Sequence, residues 1–99
     1  MWGQTNQKAS LIGKWRQIEP QDDAEDITIA FGLNGDLIYS IDTEEKTQFI
    51  NLVFEIFDDT LITDQPSAPQ KEYTKFYFET DDLLVLDYDG EKTKFQRVS

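Results

Sequence analysis

The residues best equipped for chemistry are carboxylates, and many stand in adjacent pairs such as Asp58-Asp59 and Asp81-Asp82. Glycoside hydrolysis needs two carboxyls facing each other across a cleft, not two neighbours in one tight turn. Aspartate has a simpler reason to sit there, because it tolerates turn geometry and bonds to nearby backbone. The acidic connection Asp22, Asp23, Glu25 and Asp26 offers the oxygen ligands that Ca²⁺ accepts. It lacks the alternating ligand spacing and central glycine of a dedicated loop, so it reads as a solvated turn. Ser10, Ser40 and Ser67 have no imidazole to activate them, since the chain contains no His. With no Cys there is no thiolate nucleophile, disulfide or sulfur metal site, and the five glycines are too scattered to cradle a phosphate. No catalytic, metal or cofactor residue is assigned, and the expectation is a protein without enzymatic activity.

Charge narrows the partners. Twenty acidic residues against nine basic ones give a net charge of −11 over 99 residues. Such a chain is repelled by phosphate backbones and anionic membranes, so neither nucleic acid nor a membrane is expected as a partner. The longest apolar candidate, Leu52 to Phe57, is broken by Glu55 and is far too short to span a bilayer as a helix. The opening MWGQTNQKAS lacks the apolar centre of a signal peptide. A cytoplasmic location is the first expectation, and a secreted or periplasmic mature fragment the alternative.

The elements that must position any site are strands. Apolar residues recur with period two, and turn residues interrupt them about every ten positions. A polar tail over residues 1–10 precedes one domain over 11–99. Leu11 to Glu19 reads as the first strand, stopped by Pro20; Ile27 to Leu33 is the second. Asn34-Gly35 then supplies the left-handed pair that a two-residue type I′ hairpin needs. Asp36 to Asp42, Phe49 to Phe57, Thr60 to Asp64, Lys71 to Glu79, Leu83 to Asp87 and Thr93 to Val98 complete the set. The predicted fold is all-β, an up-and-down antiparallel meander of about eight strands without substantial helix. Closure into a barrel removes the exposed edges; an open, strongly bent sheet is the alternative.

Alternation divides the side chains into two faces. Leu11, Trp15, Ile27, Ile29, Phe31, Leu37, Tyr39, Ile41, Ile50, Leu52, Phe54, Ile56, Phe76, Phe78, Leu84, Leu86, Tyr88 and Phe95 form the inward set. These large side chains either fill the interior or leave an apolar cup, with the Tyr39 and Tyr88 hydroxyls placed to orient a ligand. The same register turns Phe49, Val53, Phe57, Tyr73, Tyr77, Leu83 and Val85 outward, a patch suited to a homodimer or protein interface unless the tail covers it through Trp2.

Leu11-Ile12-Gly13-Lys14-Trp15 opens the first strand and Phe95-Gln96-Arg97-Val98 closes the last. A Gly-x-Trp followed by a meander and an Arg on the final strand resembles the lipocalins and the wider calycin group. The resemblance implies that Trp15 plugs one end of the barrel and that Arg97 packs over its ring. Classical lipocalins are longer and usually carry a C-terminal helix, often a disulfide, none of which is found here. The chain looks more like short bacterial lipocalin-like domains of uncharacterised function, as do Ile62-Thr63-Asp64-Gln65-Pro66-Ser67, Pro69 and Glu72. The resulting expectation is a non-enzymatic, lipocalin-like domain binding a small hydrophobic molecule at one barrel mouth. Its candidate ligand residues are Trp15, Phe31, Tyr39, Phe54, Phe78, Tyr88 and Arg97. The alternative is an interaction or homodimerising module with a filled barrel, working through Phe49, Val53, Phe57, Tyr73 and Tyr77.

Overall fold

Period-two alternation with short polar connections builds eight strands, which a computed structural model describes over residues 7–19, 24–67 and 69–98. Trp2, Pro20, Asp22 and Asp23 lie outside the described residues. The strands are β1 (Gly13–Glu19), β2 (Asp26–Phe31), β3 (Asp36–Asp42), β4 (Thr47–Phe57), β5 (Thr60–Asp64), β6 (Glu72–Thr80), β7 (Leu83–Tyr88) and β8 (Glu91–Arg97). Each pairs antiparallel with the next, and β8 returns to β1, closing an up-and-down barrel. Closure gives each of the eight strands a paired neighbour on both sides, which answers the edge problem of a long meander. The architecture fits a calycin-like fold in general.

Two local expectations change. Leu11 belongs not to the first strand but to a single helical turn, α1 (Gln7–Leu11). Gly13, at φ 132°, then redirects the chain into β1 through a conformation that a side chain disfavours. The β2–β3 connection is not a two-residue type I′ turn, since among its residues only Gly35 has positive φ, at 89°. Gly35 N–H donates to the Gly32 carbonyl at 3.1 Å and Gly32 N–H to the Asp36 carbonyl at 2.8 Å. That is a three-residue loop with a glycine bulge, one residue longer than read from sequence. Leu33, expected at the end of the strand, is therefore in the loop and exposed. The type I′ geometry occurs instead at Asp89-Gly90, where φ is 52° and 89° between the paired Tyr88 and Glu91.

The register turns the expected faces the expected way. Ile29 lies opposite both Trp15 and Tyr39, Leu37 opposite Phe31 and Leu52, and Leu84 opposite Phe78 and Phe95. Rings meet beneath the strands between them: Phe31 of β2 and Phe54 of β4 pack edge-on at 5.1 Å, and Trp15 of β1 reaches Phe78 of β6 at 6.0 Å. Leu61, absent from the sequence-derived core, is buried within it. Two assignments are corrected. Val85, expected outside, is fully buried although separate from the core cluster; its ladder neighbours are Tyr77 and Lys94, whose long side chains flank it. Tyr88, expected inside, is 50% exposed, because it is the last residue of β7 before a two-residue turn.

Candidate functional site

The two ends of the barrel differ, and the difference begins with Trp15. Its ring is fully buried and its Nε1–H donates to the Leu11 carbonyl at 2.9 Å, tying α1 to β1. Arg97 lies over that ring, with its guanidinium carbon 4.3 Å from the centroid. Its Nη2 donates to the carbonyls of Ser10 at 2.7 Å and Asp81 at 3.3 Å, and Nη1 to that of Ile12 at 3.3 Å. Nε pairs with Asp82 at 3.2 Å. One guanidinium, with its rigid fork of donors, thus joins α1, the start of β1, the β6–β7 turn and β8. This end is capped, and Leu11 completes the cap from within.

At the opposite end the same inward face loosens. Among the inward residues, Trp15, Phe31, Leu37, Phe54, Leu84 and Phe95 are buried; Ile27, Tyr39, Ile41 and Ile50 are only half-buried, as are Leu52, Ile56, Phe78 and Leu86 elsewhere on the inward face. Ile27 pairs with Ile41 and Tyr39 with Ile50, so the four form one inward wall on β2, β3 and β4. Ile27, Tyr39, Leu52, Ile56, Phe78 and Leu86 still pack against the core cluster, but Ile41 and Ile50 are not among the residues that do. Across the barrel, half-buried Thr63, Thr74 and Thr93 share the inward parity of Leu61, Phe76 and Phe95. The mouth opposite Trp15 therefore has an apolar wall facing hydroxyl groups.

Its rim is acidic. Where β2 and β3 leave their ladder beyond the Asp26–Asp42 pair, a recess of about 640 Å³ opens, lined by Ala24, Glu25, Thr43, Glu44 and Glu45. Burial raises the Tyr39 phenol above its ordinary value, and the charge of Glu25 pushes it further the same way. Tyr88 is also raised, chiefly by the charge of Glu72 and by donating its hydrogen bond to that carboxylate. Asp26, by contrast, is neutralised by Arg16 at 2.9 Å. Among the described residues, no group of three or more His, Cys, Asp or Glu is placed to hold a metal ion.

The seven candidate ligand residues are therefore not one site. Trp15, Phe31, Phe54 and Arg97 belong to the packed, capped part of the barrel; Tyr39 stands at the mouth, and Tyr88, with the parity of Leu84 and Leu86, is half-exposed at the mouth end of β7. Phe78 packs between Trp15 and Phe76. Sequence reasoning placed Ile27, Ile41 and Ile50 inside but not in the site. Their position towards the ends of β2, β3 and β4 away from Trp15 was the signal available.

The outer face carries a second feature. Phe49, Val53, Phe57, Tyr73 and Tyr77 are all exposed, Phe57 to 74% and Phe49 to 65%. Ile38 and Ile62, missed in the sequence, connect several of them. Ile38 opposes Asn51 and so lies diagonal to Phe49 and Val53; Ile62 opposes Glu55 and Tyr73 and lies diagonal to Val53 and Phe57. Tyr77 stands apart, opposite Val85. A recess of about 390 Å³ opens beside Val53 and Ile62, with Asn34, Gly35, Asp64 and Lys71 also in its wall.

No protein-family model matches the chain, and comparison with curated proteins finds no relative. Among the described residues, no helix is long and apolar enough to cross a membrane.

Proposed function

We propose that this protein is a lipocalin-like, non-enzymatic binding domain that takes a small apolar or amphipathic molecule at the mouth opposite Trp15. The supporting observation is that half-buried Ile41 and Ile50 do not pack against the core cluster, whereas the half-buried Ile56 and Phe78 toward the capped end do. An occupant that removes about 100 Å² of this apolar wall from water gains roughly 2.5 kcal/mol from that wall alone. The Tyr39 phenol and the facing threonines supply the few polar groups that orient a ligand in such sites.

Titration with Nile red, an uncharged apolar dye, tests this directly when followed by methyl chemical shifts. Saturable binding that moves the Ile27, Ile41 and Ile50 methyls is expected. Absence of saturable binding, or shifts confined to the outer strands, overturns it.

A second reading rests on the stripe joining Phe49, Ile38, Val53, Ile62 and Phe57: an interaction module that uses the outer face. Large exposed apolar patches on small proteins mark interfaces. Self-association must overcome repulsion between two chains of net charge −11. Sedimentation in about 0.5 M salt, where surface charge is largely screened, is therefore the favourable condition for a dimer. A strict monomer there excludes the homodimeric form.

A further inference from the structure

We propose that the ligand of the mouth is a small cationic amphiphile, an alkyl or arylalkyl ammonium compound. Its chain lies along Ile27, Ile41 and Ile50, and its head meets the carboxylates of Glu25, Glu44 and Glu45. This rests on the mouth being the binding site and adds the chemical class of what enters it.

The carboxylates stand in the connections that follow the mouth end of that wall. Ile27 and Ile41 form the next-to-last pair of the β2–β3 ladder, and Ala24-Glu25 and Thr43 to Glu45 line the recess just beyond the last. Among the described residues, none of Glu25, Glu44 and Glu45 is held in an ion pair, whereas nearby Asp26 pairs with Arg16 and Glu19 with Lys94. Burial, and after it the charge of Glu25, raises the inward Tyr39 phenol, so that carboxylate lies within electrostatic reach of the wall. Lys46, Lys71 and Lys92 are the cations of the strand ends and connections on this side, and Lys46 directly follows Glu44-Glu45. A carboxylate head would meet like charge at the rim. An ammonium head is attracted to it, and the Tyr39 ring face offers an additional favourable contact for a cation.

Octylammonium, octanol and octanoate share a chain and differ in head charge, so they separate the two proposals. The full chain is titrated with each near pH 7 at low salt, with methyl shifts as the readout. Expected is octylammonium binding at the mouth methyls about tenfold tighter than octanol, the scale of one partly screened charge contact, with octanoate weakest. In Glu25→Gln and in the double variant Glu44→Gln, Glu45→Gln, exposed loop changes that leave the barrel wall intact, this preference shrinks and octanol affinity stays the same. Salt does the same. If octanol binds the mouth and octylammonium binds no tighter, the cationic class fails while the mouth stands. Octylammonium shifts scattered over the surface and indifferent to these variants overturn the class equally. If none of the three binds, both proposals fall.

Discussion

Asn34-Gly35 and Asp89-Gly90 look alike in sequence, yet only the second places both residues in the left-handed region. The distinction is made by Gly32, whose hydrogen bond to Asp36 sets a longer loop. Both Gly35 and Gly90 sit at φ 89°, where an L side chain is strained. Gly35→Ala and Gly90→Ala are each expected to lower stability by about 1–2 kcal/mol in urea unfolding, with Asn at either site recovering part of it. A Cβ at Gly90 meets nothing within 4 Å, so any loss there is purely conformational. Arg97 is the other decisive residue. Arg97→Lys keeps the charge but loses the planar fork that reaches three carbonyls and Asp82. A loss of about 2 kcal/mol is expected, together with a change in Trp15 fluorescence measured in a Trp2→Phe background. Unchanged stability would mean that the fork does not hold the cap.

At the scale of elements, the contrast is between a short helix that matters and a long strand that faces two ways. A five-residue helix has little intrinsic stability, so α1 is held by Leu11 in the core and by the Trp15 and Arg97 bonds to its end. Leu11→Ala is expected to cost about 2–4 kcal/mol. Hydrogen exchange should then quicken first along β1 and β8, which meet beneath α1, before the β4–β5 hairpin. Strand β4 carries Leu52, Phe54 and Ile56 inward and Phe49, Val53 and Phe57 outward. Its inward residues belong to the barrel; its outward rings are the material for an interface.

For the molecule as a whole, the perturbed groups that bear on stability weaken the fold in strong alkali. Tyr39 in the folded state holds its proton more tightly than an unfolded tyrosine, so folding is opposed once the pH passes the ordinary phenol value of about 10. Lys94 is raised chiefly by its hydrogen bond to Glu79, and its contribution is likewise complete below its unfolded value of 10.5 and lost as the pH climbs through the folded one. Stability measured from about pH 9 to 12 should therefore fall, and less steeply in Tyr39→Phe. The same slope in both proteins would show that the Tyr39 phenol is not the group responsible. The charge of −11 makes a second demand, since self-repulsion opposes the compact state. The melting temperature should rise between about 0.02 and 0.5 M NaCl, and a fall would show that attractive pairs outweigh the repulsion.

The barrel was legible in the amino-acid order because strand alternation is a local property. Ile27, Ile29 and Phe31 against Thr28 and Ala30 state which face goes inward without reference to any other strand. The hairpin connectivity was legible too, since each loop is too short for anything but an antiparallel return. Even Trp15 and Arg97, 82 positions apart, could be matched by resemblance, and the structure places one over the other. Depth along the barrel could not be read in the same way. Phe54 and Ile50 have the same parity, yet one is buried and the other half-buried, because burial at a given level depends on what seven other strands bring to that level. Val85 and Tyr88 were misjudged for the same reason, one covered by long neighbours and the other sitting at a strand end. So were Ile38 and Ile62, whose part in the outer stripe arises only when three ladders bring them diagonal to Phe49, Val53 and Phe57. Parity is set by the residue and its two neighbours; depth and adjacency are set by the closed sheet.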